Sequence, residues 1–251
     1  MVCFSKKQQH CTKGMCEYLS QSDLAAFSSN RSVIFNFGTI KTGSTSFHAT
    51  IREHIPRACK WKPGNEKLHP ADLFAFVRSP LHGSTSFHKT LAACDSLGDN
   101  PWYMLSKSLI PAFPNGRFVM TRYSAGCHRW VESVRGLFES THAGSVLSAF
   151  HRCVFGSAAF NQSIYVERCI AHEQDVVHAI RSHGRQLIVI ANEWTESQKV
   201  NILRKHLGIP ATRYHHIRTP NSRRSIMTHQ HWSDFNLAMF RDVTPETPII
   251  K

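Results

Sequence analysis

The stretch that most constrains this chain is SVIFNFGTIKTGSTSFHATI, Ser32–Ile51. Ser32–Phe37 reads as a buried β-strand, Gly38–Gly43 as a tight polar loop, and Ser44–Ile51 as the first turns of a helix. A strand that feeds a glycine-containing loop and then a helix start is suited to holding a phosphate. The backbone N–H groups of such a loop form a concave nest, and the positive end of the helix dipole points into it. Such a unit needs a sheet to anchor its strand. The pattern beyond it supplies one: RFVMT at Arg117–Thr121 and QLIVIA at Gln186–Ala191 are short apolar runs of the kind found in central parallel strands. Between and after them, His128–Glu139, Ile164–His183 and Thr195–Leu207 carry helical patterns, the last stopped by Gly208 and Pro210. Alternating strands and helices predict an α/β fold, a three-layer sandwich with a central parallel sheet and ligands at the carboxyl ends of the strands.

The loop departs from the nucleoside triphosphatase pattern G-x-x-x-x-G-K-[ST]. Gly38 and Gly43 have the right spacing, but Ser44 stands where the lysine belongs and the lysine is Lys41, inside the loop. The run K-T-G-S-T-S resembles the 5′-phosphosulfate loop of sulfotransferases, usually K-T-G-T-T. Lys41 can set a cation over a bridging oxygen, with Thr42, Gly43, Ser44, Thr45 and Ser46 adding backbone and hydroxyl donors. Downstream, NGRFVMTRYSAGCHRWVESVRGLF resembles the family's 3′-phosphate segment, LTVRDPxxWxxSV, with Arg122 after the strand and Ser133 on the helix. Arginine gives paired hydrogen bonds to a phosphate monoester. The Arg122–Ser133 interval is three residues longer than usual, and Arg78-Ser79-Pro80 with Ser86 is the alternative at the usual interval. CDSLGDNPWYMLSKSLIPAF and QLIVIANEWTESQKVNILRKHLGIP also resemble family segments.

The resemblance covers roughly residues 32–224 and implies a P-loop NTPase-like sulfotransferase fold. It implies sulfuryl transfer from 3′-phosphoadenosine 5′-phosphosulfate to a hydroxyl or amine of a small-molecule or glycan acceptor, with no metal. Lys41 is then the catalytic cation. Asp99, in the LGDNP turn, His48, in the first helix, and His82 or His88 are the candidate bases, with Asp99 preferred. The basic run ending in Arg223 and Arg224 implies a cover over the 3′-phosphate. The altered Arg–Ser interval also admits a degenerate enzyme that keeps the fold without the activity.

The chain carries a formal charge of +13, so a polyanionic partner is expected. No recognition helix, zinc-finger spacing or RNA-binding aromatic signature accompanies that charge, which weighs against a nucleic-acid-binding module. The absent Walker lysine weighs against the other alternative, a nucleotide-dependent kinase-like P-loop protein. Residues 1–30 are expected to form a loose arm, 31–224 the domain, and 225–251 an extension whose Trp232, Phe235 and Phe240 suit a short packed helix. No apolar run is long enough for a membrane span and no secretory signal is evident. The expected compartment is therefore the cytoplasm, with the eight cysteines reduced.

Overall fold

The computed structural model describes residues 30–60, 91–99, 102–139, 155, 159–217 and 238–251. Its strands are β1 (Ile34–Asn36), β2 (Ala58–Lys60), β3 (Ser96–Gly98), β4 (Arg117–Arg122), β5 (Leu187–Ala191) and β6 (Ile249–Ile250). They form one sheet in the order β2-β3-β1-β4-β5-β6, parallel except for β6, which runs antiparallel to β5. The helices are α1 (Ser44–Arg52), α2 (Ser106–Ala112), α3 (Gly126–Glu139), α4 (Gln162–Ser182) and α5 (Glu196–Leu207).

Alternation along each strand builds the three layers. Side chains of successive strand residues point to opposite faces. Val33, Phe35, Phe37, Phe118, Met120, Leu187 and Val189 therefore face one core, shared with α2, α3 and α4. Ile34, Val119, Ile188 and Ile190 face the other, shared with α1 and α5. Phe35, Phe37 and Phe118 stack with ring centroids about 6 Å apart, and Phe113 closes on Phe35 edge-on at 4.9 Å. Each fully buried aromatic or branched aliphatic side chain here stabilises the fold by roughly 1.5–3 kcal/mol before its ordering entropy is counted.

The helices end where local chemistry ends them. Asn161 caps α4 by accepting from the Ile164 N–H. Thr195 and Gln198 form a reciprocal capping box on α5, and Gly208 closes it in the left-handed conformation. Trp102–Leu105 forms a 3-10 turn that leads into α2, which carries Pro111 in its last turn. Directly after Arg57 the chain adds β2 at the edge of the sheet. The Arg78–Ser86 segment with His82, His88 and the basic pair Arg223 and Arg224 lie outside the described residues. So do Trp232, Phe235 and all of residues 1–30 but Asn30; residues 238–251 supply a 3-10 turn and β6.

The cysteines correct an expectation. Cys59 is bonded to Cys94, and Cys127 to Cys169, with Cα–Cα distances of 5.8 and 5.7 Å. Nothing in their spacing announces this, because the partners are 35 and 42 residues apart. The sheet and the helix pair bring them together: Cys59 lies on β2 and Cys94 just before its neighbour β3, while Cys127 opens α3 and Cys169 lies on α4. No described helix is long and apolar enough to cross a membrane.

Candidate active site

β1 lies between β3 and β4, and the chain runs outward on one side before returning on the other. The carboxyl end of β1 is therefore a topological switch point, where open α/β sheets bind ligands. Residues 38–43 leave the strand there. Asn36, wholly buried at the strand end, sets the loop's course. Its Oδ1 accepts the Gly38 N–H at 2.9 Å and the Thr121 N–H at 3.2 Å. Gly38 is required for a steric reason, since a Cβ would fall 2.1 Å from Thr121 Oγ1 and 2.4 Å from Thr121 O. Thr42 Oγ1 donates to Thr39 O at 2.6 Å and lies 3.0 Å from Thr121 Oγ1. Trp130 Nε1 donates to Ile40 O at 2.7 Å from the α3 side. His172 on α4 lies with Nε2 2.8 Å from Phe37 O. Four side chains, Asn36, Thr42, Trp130 and His172, thus hold the backbone from Phe37 to Ile40.

What they hold is a loop at the start of α1. Gly43 is the N-cap of α1 in the left-handed conformation, φ 89°, and no side chain caps the helix. The first turn of α1 and the positive end of its dipole therefore border the loop. Lys41 also has positive φ, 64°. A non-glycine residue in that region is uncommon and marks a conformation imposed by its surroundings. Partial burial pushes its ammonium pKa down, the direction expected where a cation has lost water.

The other expected site residues divide. Ser44 is buried, with its Oγ 3.5 Å from Asp99 Oδ2 across the ends of β1 and β3. Asp99 too has positive φ, 69°, and is half-buried at the loop's mouth. Burial, then the nearby Asp99 carboxylate, raises the pKa of the Tyr103 phenol. Thr45 is half-buried on the first turn of α1. Ser46 turns away from the loop, its Oγ accepting the Ile217 N–H at 3.0 Å. His48 is 4% exposed and packs beneath β3, where a Cβ on Gly98 would come within 2.2 Å of its Nε2.

Arg122 is a correction. Its Nε and Nη2 donate to the two carboxylate oxygens of Glu173 at 3.0 and 3.1 Å, and its guanidinium lies 3.9 Å from the Phe240 ring centroid. Both charged side chains are nearly buried, at 6% and 7% exposure. The Nε and Nη2 donors of this arginine are thus taken by Glu173. Ser133 is equally committed, donating to Trp130 O within α3. The expected Arg122–Ser133 grip is thus replaced by an ion pair tying β4 to α4. The acid cluster of Cys127, Cys169 and Glu173 is this ion pair beside a disulfide, not a metal site.

The segment after α5 approaches the loop. Arg213 and His215 bind Glu53 at the end of α1, His215 N–H donates to Thr50 Oγ1, and Ile217 N–H donates to Ser46 Oγ. Residues 213–217 thus run back along α1 from its last turn to its first.

Parallel sheet, switch-point loop and uncapped helix define a P-loop-type α/β protein whose cation sits within the loop. Residues 33–198, well over half of the chain, match the sulfotransferase domain family, and the chain belongs to that family. No curated protein matches it.

Proposed function

We propose that this protein transfers a sulfuryl group from 3′-phosphoadenosine 5′-phosphosulfate to a hydroxyl or amine acceptor. The observation that carries the reading is the loop itself: an uncapped helix N-terminus, a nest of backbone donors and Lys41, all at the switch point. The positive end of the helix dipole and the Lys41 ammonium suit the charge of a 5′-phosphosulfate. The donor supplies an activated sulfur whose bridging oxygen leaves with the adenosine bisphosphate.

This chain's residues would then act mainly by positioning and charge. Lys41 places its ammonium against the developing charge on the leaving oxygen. The N–H groups of Gly43, Ser44 and Thr45 hold the non-bridging oxygens, as helix N-termini hold anions. Asp99, held at the mouth beside Ser44, accepts the acceptor's proton. The course of residues 213–217 toward the loop supports a role for Arg223 and Arg224 over the 3′-phosphate, in place of the buried Arg122. The paired cysteines favour an oxidising compartment over the cytoplasm. The acceptor is a small molecule or a glycan, read by the loops around the mouth.

Titration calorimetry with 3′-phosphoadenosine 5′-phosphate tests the donor site, and turnover with labelled donor tests the chemistry. Binding should be lost in Lys41→Ala, and turnover in Asp99→Asn with binding retained. Stabilisation by ATP with magnesium but not by the bisphosphate would sink the proposal.

A further inference from the structure

Asn192 belongs to no expected site, yet it lies against the loop. It follows β5, and a Cβ on Gly43 would fall 2.9 Å from its Oδ1 and 3.6 Å from its Cγ. The carboxamide therefore rests on the N-cap of α1, on the side of the loop facing β5. Its backbone is fixed at both ends. The Asn192 N–H donates to Arg122 O at 2.7 Å, and the Asn192 carbonyl accepts from Lys199 Nζ at 2.7 Å. The carboxamide itself forms no hydrogen bond to another described residue.

The placement of Lys199 breaks two local rules. The residue is 1% exposed, and burial lowers its pKa. It also sits near the N-terminus of α5, where the helix dipole disfavours a cation. Partial compensation comes from Glu193, Glu196 and the Tyr214 ring, whose centroid is 5.0 Å from Nζ. A backbone carbonyl in a turn does not need a buried ammonium for stability alone. Local rules broken together, next to a ligand loop, mark a functional constraint.

Resting on the sulfuryl-donor reading above, we propose that Asn192 is a further binding residue of the anion loop and that Lys199 is its positioning residue. The carboxamide keeps Oδ1 against Gly43 and turns its Nδ2 donor to an oxygen of the bound phosphosulfate. Lys199 holds the turn that aims it.

The test is calorimetry of the whole chain with 3′-phosphoadenosine 5′-phosphate, with thermal unfolding run in parallel. Asn192→Ala should weaken binding about tenfold, the size of one hydrogen bond to a charged group. Asn192→Asp, nearly the same shape, should weaken it by about 100-fold or more, and the effect should shrink as salt screens the repulsion. Lys199→Met should weaken binding in the wild-type background and add little in the Asn192→Ala background, as expected for residues acting through one another. Affinities within twofold of wild type for both Asn192 variants, with wild type binding normally, would overturn this proposal alone. Equal losses from Lys199→Met in both backgrounds would overturn the positioning role. Failure of the wild type to bind the bisphosphate would overturn the donor reading and this proposal with it.

Discussion

The Arg122–Glu173 pair offers a decisive perturbation, because a structural arginine and a phosphate-binding arginine respond oppositely to the same substitutions. Both side chains are nearly buried, joined by two hydrogen bonds, and roofed by Phe240. Removing one partner from such a pair leaves an uncompensated charge in a low-dielectric interior, which costs about 3–5 kcal/mol. The lost stacking on Phe240 adds about 0.5–2 kcal/mol. Arg122→Met should therefore lower the unfolding temperature by about 7–28 °C, at about 2–4 °C per kcal/mol for a chain of this size. Replacing both partners by apolar residues removes the desolvation penalty together with the attraction. Arg122→Met/Glu173→Leu should then recover most of the loss, or exceed the wild type. Urea unfolding followed by far-UV circular dichroism, disulfides intact, gives the four free energies of the cycle. Calorimetry with the bisphosphate on the double variant supplies the second readout, expected within a few-fold of wild type. The reasoning is refuted if Arg122→Met unfolds within about 1 kcal/mol of wild type while bisphosphate binding collapses.

Three further outcomes are expected. Gly38→Ala puts a methyl group within 2.1 Å of Thr121 Oγ1 and 2.4 Å of a backbone oxygen; denaturant titration should show a loss of about 1–3 kcal/mol or more, and calorimetry a loss of donor-site affinity, since the loop must move. His172 is held neutral because burial lowers its pKa from 6.5; the unfolded chain then binds the extra proton first, so this stability is fully present above about pH 6.5 and is lost as pH falls below it. Thermal unfolding across pH 5 to 8 should show that slope, flattened in His172→Gln. Replacing Cys127 and Cys169 by alanine opens a loop whose ends are 42 residues apart, and by chain entropy should cost about 4 kcal/mol; an unchanged urea midpoint would contradict it.

Much of the fold could be read in the chain because its strands are short, apolar and set between strong helix signals. QLIVIA and RFVMT became β5 and β4, and Thr195 with Gly208 bracketed α5 as capping chemistry dictates. The loop was legible for the same reason, since its residues are contiguous and their spacing carries the geometry. What failed were statements about distant partners. An arginine after a strand looks the same whether it meets a phosphate or a glutamate on a helix 51 residues later. The cysteines have no local pattern, and their pairing depends on which strands and helices become neighbours. Asn36 carried a usable signal, a polar residue inside an apolar strand, which points to a backbone group that needs holding. Asn192 carried none, because its meaning comes from Gly43, far away in sequence.

The roof over Arg122 has a consequence for how the chain is made. Phe240 seals the ion pair, and β6 at Ile249–Ile250 closes the sheet beyond β5. Every other part of the loop's framework described here is synthesised before either. During translation the guanidinium and carboxylate can meet while still open to water, and desolvation waits until residue 240 has cleared the ribosome. A nascent chain paused before that point would carry the loop and its framework with a wet charge pair beside them. Cellular quality control would meet it as an unfinished surface.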